Sequence, residues 1–268
     1  MDIIGNGFIA RHLRPLRDAH PGVTVLAAGV PRQLLPESEH VRETLLVRET
    51  ICRCLADGHR MVFFSTASMY GGPGCRGLED DPVVASTRYG RHKRDLERIV
   101  QDSGVDHLIL RLGYVLGPHS PEFRLVPALI RQITAGRVRV HPGARRDVLY
   151  VSDFVRIIDV LLGARVGNEI VNVASGDCVD VLRMIEHIEA RLRLSAVRET
   201  LGESVSHCPS VRKLRAYLPS SAALTFAPGY HRIAIDHYLQ ATGLCRTAHG
   251  AGQADPVAST QSTGRDGE

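Results

Sequence analysis

A short apolar run, Met1–Ile4, empties directly into Gly5-Asn6-Gly7-Phe8-Ile9-Ala10 and then into a helix-forming stretch that reaches about Ala19. This junction constrains the fold more than any other feature of the chain. A strand that turns on Gly-x-Gly and continues as a helix belongs to a βαβ unit, and such units build parallel sheets. The first glycine permits the tight turn, and the second lets backbone approach a phosphate. The small Ala10 permits close packing of helix on strand. Taken alone, the motif is equally a plain strand–helix turn, so the rest of the chain decides its meaning.

The rest repeats the alternation. Pro21-Gly22 breaks the first helix, and Val23–Ala27 reads as a strand. Residues 38–57 read as a helix ending near Gly58, Met61–Ser65 as a strand and Thr66–Gly74 as a loop. Residues 86–103 form a second long helical pattern, and Leu108–Leu112 is a strand closed by Gly117-Pro118. Strand and helix alternating at this spacing predict an α/β fold with a shortened, Rossmann-like, doubly wound parallel sheet. Beyond residue 118 the pattern loosens. Leu125–Gly136, Asp153–Leu162 and Val181–Leu194 read as helices, Val138–His141 and Ile170–Val173 as extended. We expect residues 1–118, with a strand at about 168–175, to form a dinucleotide-binding domain. Residues 119–167 and 176–244 are expected to form a smaller α/β substrate lobe. Residues 245–268 lack apolar periodicity and are expected to be a disordered tail.

Several function classes drop out. No apolar run approaches the roughly 20 residues of a bilayer span. The start has no basic region before its apolar stretch, so the expectation is a soluble, cytoplasmic protein. The net charge of +4 comes without a basic block or aromatic ladder, so no nucleic-acid partner is expected. The six cysteines, Cys52, Cys54, Cys75, Cys178, Cys208 and Cys245, include no CxxC pair and are read as reduced thiols. No metal site is expected, since the histidines show no ligand spacing either.

Only two of the 33 basic residues are lysines, Lys93 and Lys213. Lys93 stands four residues after Tyr89, and that spacing puts phenol and ammonium on one helix face. A free phenol, with a pKa of about 10, is a poor acid–base at neutral pH, and a neighbouring ammonium favours the phenolate. Lysine can also hydrogen-bond a ribose, which a broad guanidinium fork would not do cleanly. Upstream, Val62-Phe63-Phe64-Ser65-Thr66 is a strand ending in hydroxyls at the carboxyl edge of the sheet, where open α/β folds bind ligands. Thr66 could hold the substrate oxygen with which Tyr89 exchanges a proton. One expected element is missing. A dinucleotide site usually ends its second strand with an acid for the adenosine ribose, whereas Val23–Ala27 runs on into Ala28-Gly29-Val30-Pro31-Arg32. Either Arg32 meets a 2′-phosphate, or this is not the usual second strand.

These residues resemble the extended short-chain dehydrogenase/reductase family, the NAD-dependent epimerases, dehydratases and ketoreductases of nucleotide sugars. Phe63 through Gly71 is similar to its strand-end hydroxyl segment, and Tyr89 with Lys93 to its YxxxK. Arg111 through Gly117-Pro118 resembles its next strand and exit. Arg146-Asp147-Val148-Leu149-Tyr150-Val151-Ser152-Asp153 resembles its RDxxxVxD segment, and Val171–Gly176 its later strand and turn. The resemblance implies a Thr66, Tyr89, Lys93 catalytic set. It implies cofactor contacts from Gly5, Gly7, Phe8, Ile9, Ala28, Arg32, Ser65, Tyr89 and Lys93. Substrate contacts follow from Thr66, Tyr114 and Arg146, the last on a substrate diphosphate.

Three departures from the family pattern bear on function. Only about 60 residues separate Gly5 from Thr66, well short of the roughly hundred that the usual layout needs. Val25–Gly29 therefore resembles the family's fourth strand, and the adenosine half of the pocket is expected to be cut away. The glycine turn is also one residue shorter than usual. Tyr114 stands where many relatives carry a substrate-binding asparagine. The resemblance implies an NAD- or NADP-dependent enzyme that acts on a nucleotide sugar as ketoreductase or epimerase. A 4,6-dehydratase fits less well, because Ala67-Ser68 stand where such relatives carry Asp-Glu. The alternatives are a non-catalytic relative that binds a sugar nucleotide, and a reductase of a non-sugar ketone. A homodimer through the helices at 38–57 and 86–103 is implied as well.

Overall fold

The chain rises through β1 (Asp2–Ile4), turns at Gly5–Gly7, and crosses in α1 (Phe8–Leu13) to β2 (Val23–Leu26). The structure is a computed structural model that describes residues 1–29, 36–71, 75–83, 85–202, 205–219 and 228–244. Arg32 and the expected tail at 245–268 lie outside the described residues. The first helix stops well before Ala19. Pro15, which cannot donate within a helix, converts the chain to a single 3-10 turn at Arg14–Leu16.

α2 (Glu37–Asp57) begins with Glu37 and Glu39 in its first turn, where they complement the helix dipole. It ends at Gly58, whose left-handed backbone returns an N–H to the Cys54 carbonyl. β3 (Arg60–Thr66) follows, then α3 (Arg88–Asp102), capped by the Thr87 hydroxyl on Gly90 N at 3.0 Å. After β4 (His107–Leu112) come the short β5 (Tyr114–Leu116), α4 (Leu125–Thr134) and β6 (Arg137–Val140). Next are β7 (Arg145–Tyr150), α5 (Val151–Gly163), β8 (Glu169–Val173) and β9 (Cys178–Asp180). The described chain closes with α6 (Val181–Leu192), β10 (Val197–Thr200), α7 (Arg212–Tyr217) and α8 (Tyr230–Ala241).

Five strands form the main sheet in the order β1-β2-β3-β4-β8, all parallel. Alternating side chains sort to its two faces. Val25, Val62, Phe64, Leu108 and Leu110 pack with Phe8 and Leu13 of α1 and with Phe154 and Ile157 of α5. Leu26, Met61, Phe63 and Ile109 pack with Val47, Ile51 and Cys54 of α2 and Leu96 and Val100 of α3. This is the Rossmann-like sheet with helices on both faces that the sequence predicts.

Its strand order, however, runs one way from β1 without reversing. α1 and α2 each carry the chain one strand further in the same direction, yet they cover opposite faces. The two crossovers therefore have opposite hands, although parallel connections in one sheet are nearly always right-handed. Such a geometry would arise if α1 led straight into the family's fourth strand, with no strand outside β1 among the described residues.

Two smaller sheets complete the fold, one of β5, β7 and β9 and one of β6 and β10. The α1–α5 core continues without a break into α4, α6 and α8 through Ile130, Ile185, Ala234 and Leu239.

Candidate active site

Thr66 ends β3 opposite Leu112 of β4, at the carboxyl edge of the sheet. Its Oγ1 accepts from Ser68 N at 3.1 Å and lies 2.8 Å from Ser68 Oγ, capping a 3-10 turn at Ala67–Met69. With the Ser68 hydroxyl donating, the Thr66 proton is left for a ligand. Tyr89 and Lys93 occupy successive turns of α3, and Lys93 Nζ lies 6.0 Å from the Tyr89 ring centre. All three line one cavity of about 360 Å³ together with Ser65 and with Gly7, Phe8 and Ile9 of the glycine turn. Gly5 and Ala28 stand behind that wall rather than in it. Gly5 has φ +127°, and a Cβ there would meet Ala27 O at 2.5 Å, so a side chain would push the turn off β2.

The cavity holds two residues the sequence reading missed. The first is Glu43 of α2, fully buried, whose Oε1 accepts from Lys93 Nζ at 2.7 Å and whose Oε2 lies 2.9 Å from His92 Nε2. Burial opposes its ionisation, but the Lys93 ammonium and the two hydrogen bonds outweigh that and hold the carboxyl at about 2. Burial likewise opposes the charge on Lys93, and Glu43 more than restores it, so the ammonium's pKa lies above its ordinary value. Lys93 also donates to the Phe64 carbonyl at 3.1 Å, which leaves one of its three N–H groups for a ligand. Gly29 lies against this pair, and a Cβ there would sit 2.5 Å from Glu43 Oε1.

The second is Arg124, the residue before α4, whose guanidinium lies 5.9 Å over the Phe8 ring. Its Nε is buried with no hydrogen-bond partner among the described residues. Burial lowers its pKa, and only Tyr89 and Tyr114 act the other way. Lys93 is neutralised by Glu43, so Arg124 is the uncompensated cation of the cavity among the described residues.

Behind the cavity, α3 is fixed by a buried fork. Arg111 of β4 donates Nε and Nη2 to the two oxygens of Glu97 at 2.9 and 2.8 Å, with both side chains fully buried. Its Nη1 reaches Tyr70 Oη at 2.8 Å, and Tyr70 donates in turn to Asn172 Oδ1 at 2.8 Å. Burial, only partly offset by Arg111, pushes the Tyr70 phenol up to about 12. This chain of bonds ties α3 to β4, β8 and the segment after Thr66. It thereby sets Tyr89 and Lys93 against the strand end.

Tyr114 and Arg146, expected on the substrate, do not line this cavity. They lie beside it, with the Arg146 guanidinium 5.9 Å over the Tyr114 ring. Tyr114 Oη is 3.1 Å from His207 Nδ1. Burial, with Arg146 adding to it, pulls His207 down to about 4, so the ring is neutral at pH 7 and can accept the tyrosine proton. Arg146 lines a second, larger groove of about 590 Å³ with Arg131, Arg137, Arg139 and His141. Arg124 and Leu125 are chain neighbours that line one recess each, so cavity and groove adjoin. Asp147 of the RDxxxVxD segment serves the frame. Its carboxyl, raised to about 6 by burial, accepts from Ser175 N, Ser175 Oγ and Gly176 N.

The expectation of six free thiols fails at one pair. Cys178 and Cys208 form a disulfide, whereas Cys52, Cys54 and Cys75 are free and Cys245 lies outside the described residues. Pairing of β7 with β9 sets Cys178 opposite Asp147, and a bridge from Arg146 to His207 brings Cys208 alongside. A separation of 30 residues leaves no spacing motif to read.

A sequence model of the NAD dependent epimerase/dehydratase family matches residues 10–174. A comparison with curated proteins by sequence gives no match. Among solved structures, MoeE5 in complex with UDP-glucuronic acid and NAD is 21% identical with a TM-score of 0.72, covering 89% of this chain and 85% of that one. The UDP-glucose 4-epimerase of Thermus thermophilus in complex with NAD is 20% identical, TM-score 0.66, covering 86% and 81%. RMD from Pseudomonas aeruginosa complexed with NADPH is 18% identical, TM-score 0.70, covering 89% and 97%. At these identities the structural likeness is one of fold.

Proposed function

Because the chain belongs to the NAD dependent epimerase/dehydratase family, we propose that it is an NAD(P)-dependent oxidoreductase that acts on a nucleotide sugar as ketoreductase or epimerase. The observation that carries this reading is the meeting of Thr66, Tyr89 and Lys93 with the Gly7–Ile9 turn in one cavity beside an arginine-lined groove. The cavity fits the nicotinamide end of the cofactor. It offers a glycine turn that excludes side chains, an ammonium with one donor to spare, and a buried arginine Nε without an acceptor among the described residues. Lys93 would hold the ribose beside the nicotinamide, and Arg124 a phosphate. When bound, the nicotinamide gives or takes the hydride.

The chain's own residues do the rest. Thr66 orients the sugar oxygen with its hydroxyl proton. Tyr89 Oη passes a proton to that oxygen in reduction or takes it in oxidation. The Lys93 ammonium, fixed by Glu43 and the Phe64 carbonyl, keeps one N–H for the cofactor ribose. The groove supplies four guanidinium groups, Arg131, Arg137, Arg139 and Arg146, for a diphosphate. Assay with NADH and NADPH against UDP- and dTDP-linked 4-keto sugars tests the reading. Turnover is expected, and Arg146→Ala should raise KM with little change in kcat. If Arg146→Ala behaves like wild type, the substrate is a ketone without a diphosphate.

The one-sided sheet favours a second reading, a non-catalytic relative that binds a sugar nucleotide. The intact Thr66, Tyr89 and Lys93 argue for catalysis. Val41, Leu45 and Leu55 of α2 are 50%, 62% and 52% exposed, an apolar stripe that supports a homodimer through α2 and α3. Sedimentation should find two chains, and Leu45→Arg should give one.

A further inference from the structure

A doubly wound sheet binds a dinucleotide across the point where its strand order reverses, one mononucleotide on each half. Here the order β1-β2-β3-β4-β8 never reverses, and among the described residues no strand lies outside β1. Among the described residues, nothing walls the half that would take adenosine. The end of β2, Ala27-Ala28-Gly29, has no acid for a second ribose and is instead packed against the glycine turn and the Glu43–Lys93 pair.

The polar groups of the cavity all belong to the other half. Thr66, Tyr89 and the spare donor of Lys93 face it from β3 and α3. Arg124 closes it from the far side, over the Phe8 ring of the glycine turn. The charges balance for one anionic group. Lys93 is cancelled by Glu43, which leaves Arg124 with a buried Nε and, among the described residues, no carboxylate to meet it. A buried donor on a charged group without an acceptor is costly, and a phosphate oxygen would remove that cost. Arg124 makes no side-chain capping bond on α4, so the start of that helix does not explain its position.

On the nicotinamide reading above, we infer that the site grips its cofactor by the nicotinamide mononucleotide half alone, with Arg124 on the phosphate of that half. The adenosine part of NADH then adds little, and the 2′-phosphate of NADPH adds nothing. Isothermal titration calorimetry of the full chain tests this with NADH, NADPH, reduced nicotinamide mononucleotide and reduced nicotinamide riboside. The first three should bind within about threefold of one another, and the riboside about ten- to a hundredfold more weakly, as loss of a charged hydrogen bond implies. Arg124→Gln, with its circular dichroism and melting unchanged, should weaken the three phosphate-bearing ligands to the level of the riboside and leave the riboside as it was. Dinucleotides that bind thirtyfold or more tightly than the mononucleotide would overturn this inference and leave the proposed function standing. So would an Arg124→Gln variant that weakens riboside and mononucleotide equally. Failure of every nicotinamide compound to bind at millimolar concentration would overturn both.

Discussion

Replacing Glu43 by Gln keeps the shape of the side chain and removes the charge that Lys93 faces. The fall of the Glu43 carboxyl from an ordinary 4.5 to about 2 corresponds to about 3 kcal/mol of native-state preference for the carboxylate. Breaking a buried ion pair from one side costs about 3–5 kcal/mol by a separate route, because the partner charge is stranded. Glu43 and Lys93 are 0% and 3% exposed, so solvent does not screen the loss. Glu43→Gln should therefore be about 3 kcal/mol less stable at pH 7 in urea unfolding followed by circular dichroism. For a chain of this size that is a drop in Tm of roughly 6–12 °C. The pH dependence carries the sharper signature. The folded pKa lies below the unfolded one, so this stability is complete above about pH 4.5 and is lost as pH falls through about 2. Wild type and variant should converge as the pH drops below about 4.5. A variant within 0.5 kcal/mol of wild type at pH 7, or a gap that persists unchanged to pH 3, would refute the role given to this pair.

Other consequences follow from the frame. Arg111→Leu or Glu97→Gln should each cost about 3–5 kcal/mol in the same unfolding assay, and replacing both with apolar residues of similar volume should cost less than either alone. Alkylation of native protein without reductant should leave Cys178 and Cys208 unmodified, as read by mass spectrometry; labelling of both would contradict the disulfide. Reducing it should lower stability by about 3.6 kcal/mol, the value expected for opening a loop of 30 residues. Gly29→Ala should separate Glu43 from Lys93 and reproduce much of the Glu43→Gln loss, again read in urea.

The parts of the site that were legible in the sequence are the locally encoded ones. Tyr89 and Lys93 share a helix face by spacing alone, and Thr66 ends an apolar strand. The count from Gly5 to Thr66 already shows that two strand–helix units do not fit, and the one-way sheet follows. What escaped is long-range. Lys93 and Glu43 are 50 residues apart, and Arg111 and Glu97 are 14 apart on different elements. A signal for Glu43 did exist. His40, Glu43, Val47, Thr50, Ile51 and Cys54 form the buried stripe of α2, and a carboxylate on such a stripe needs a buried partner. Arg124 offered nothing comparable, since an arginine beside a helix start is ordinarily solvated. Arg146 was read from its segment alone, whereas its position in the neighbouring groove depends on how β6, β7 and α4 pack, which no spacing records.

Proton transfer in step with nicotinamide redox chemistry is the role proposed for the cavity of Thr66, Tyr89 and Lys93. The direct measurement is NAD(P)H oxidation by wild type and by Tyr89→Phe with the same nucleotide 4-keto sugar, with cofactor affinity measured on both. Tyr89→Phe should fold, bind NAD(P)H as wild type does, and lose about a hundred- to ten-thousandfold in kcat. A Tyr89→Phe variant that turns over at the wild-type rate would contradict it.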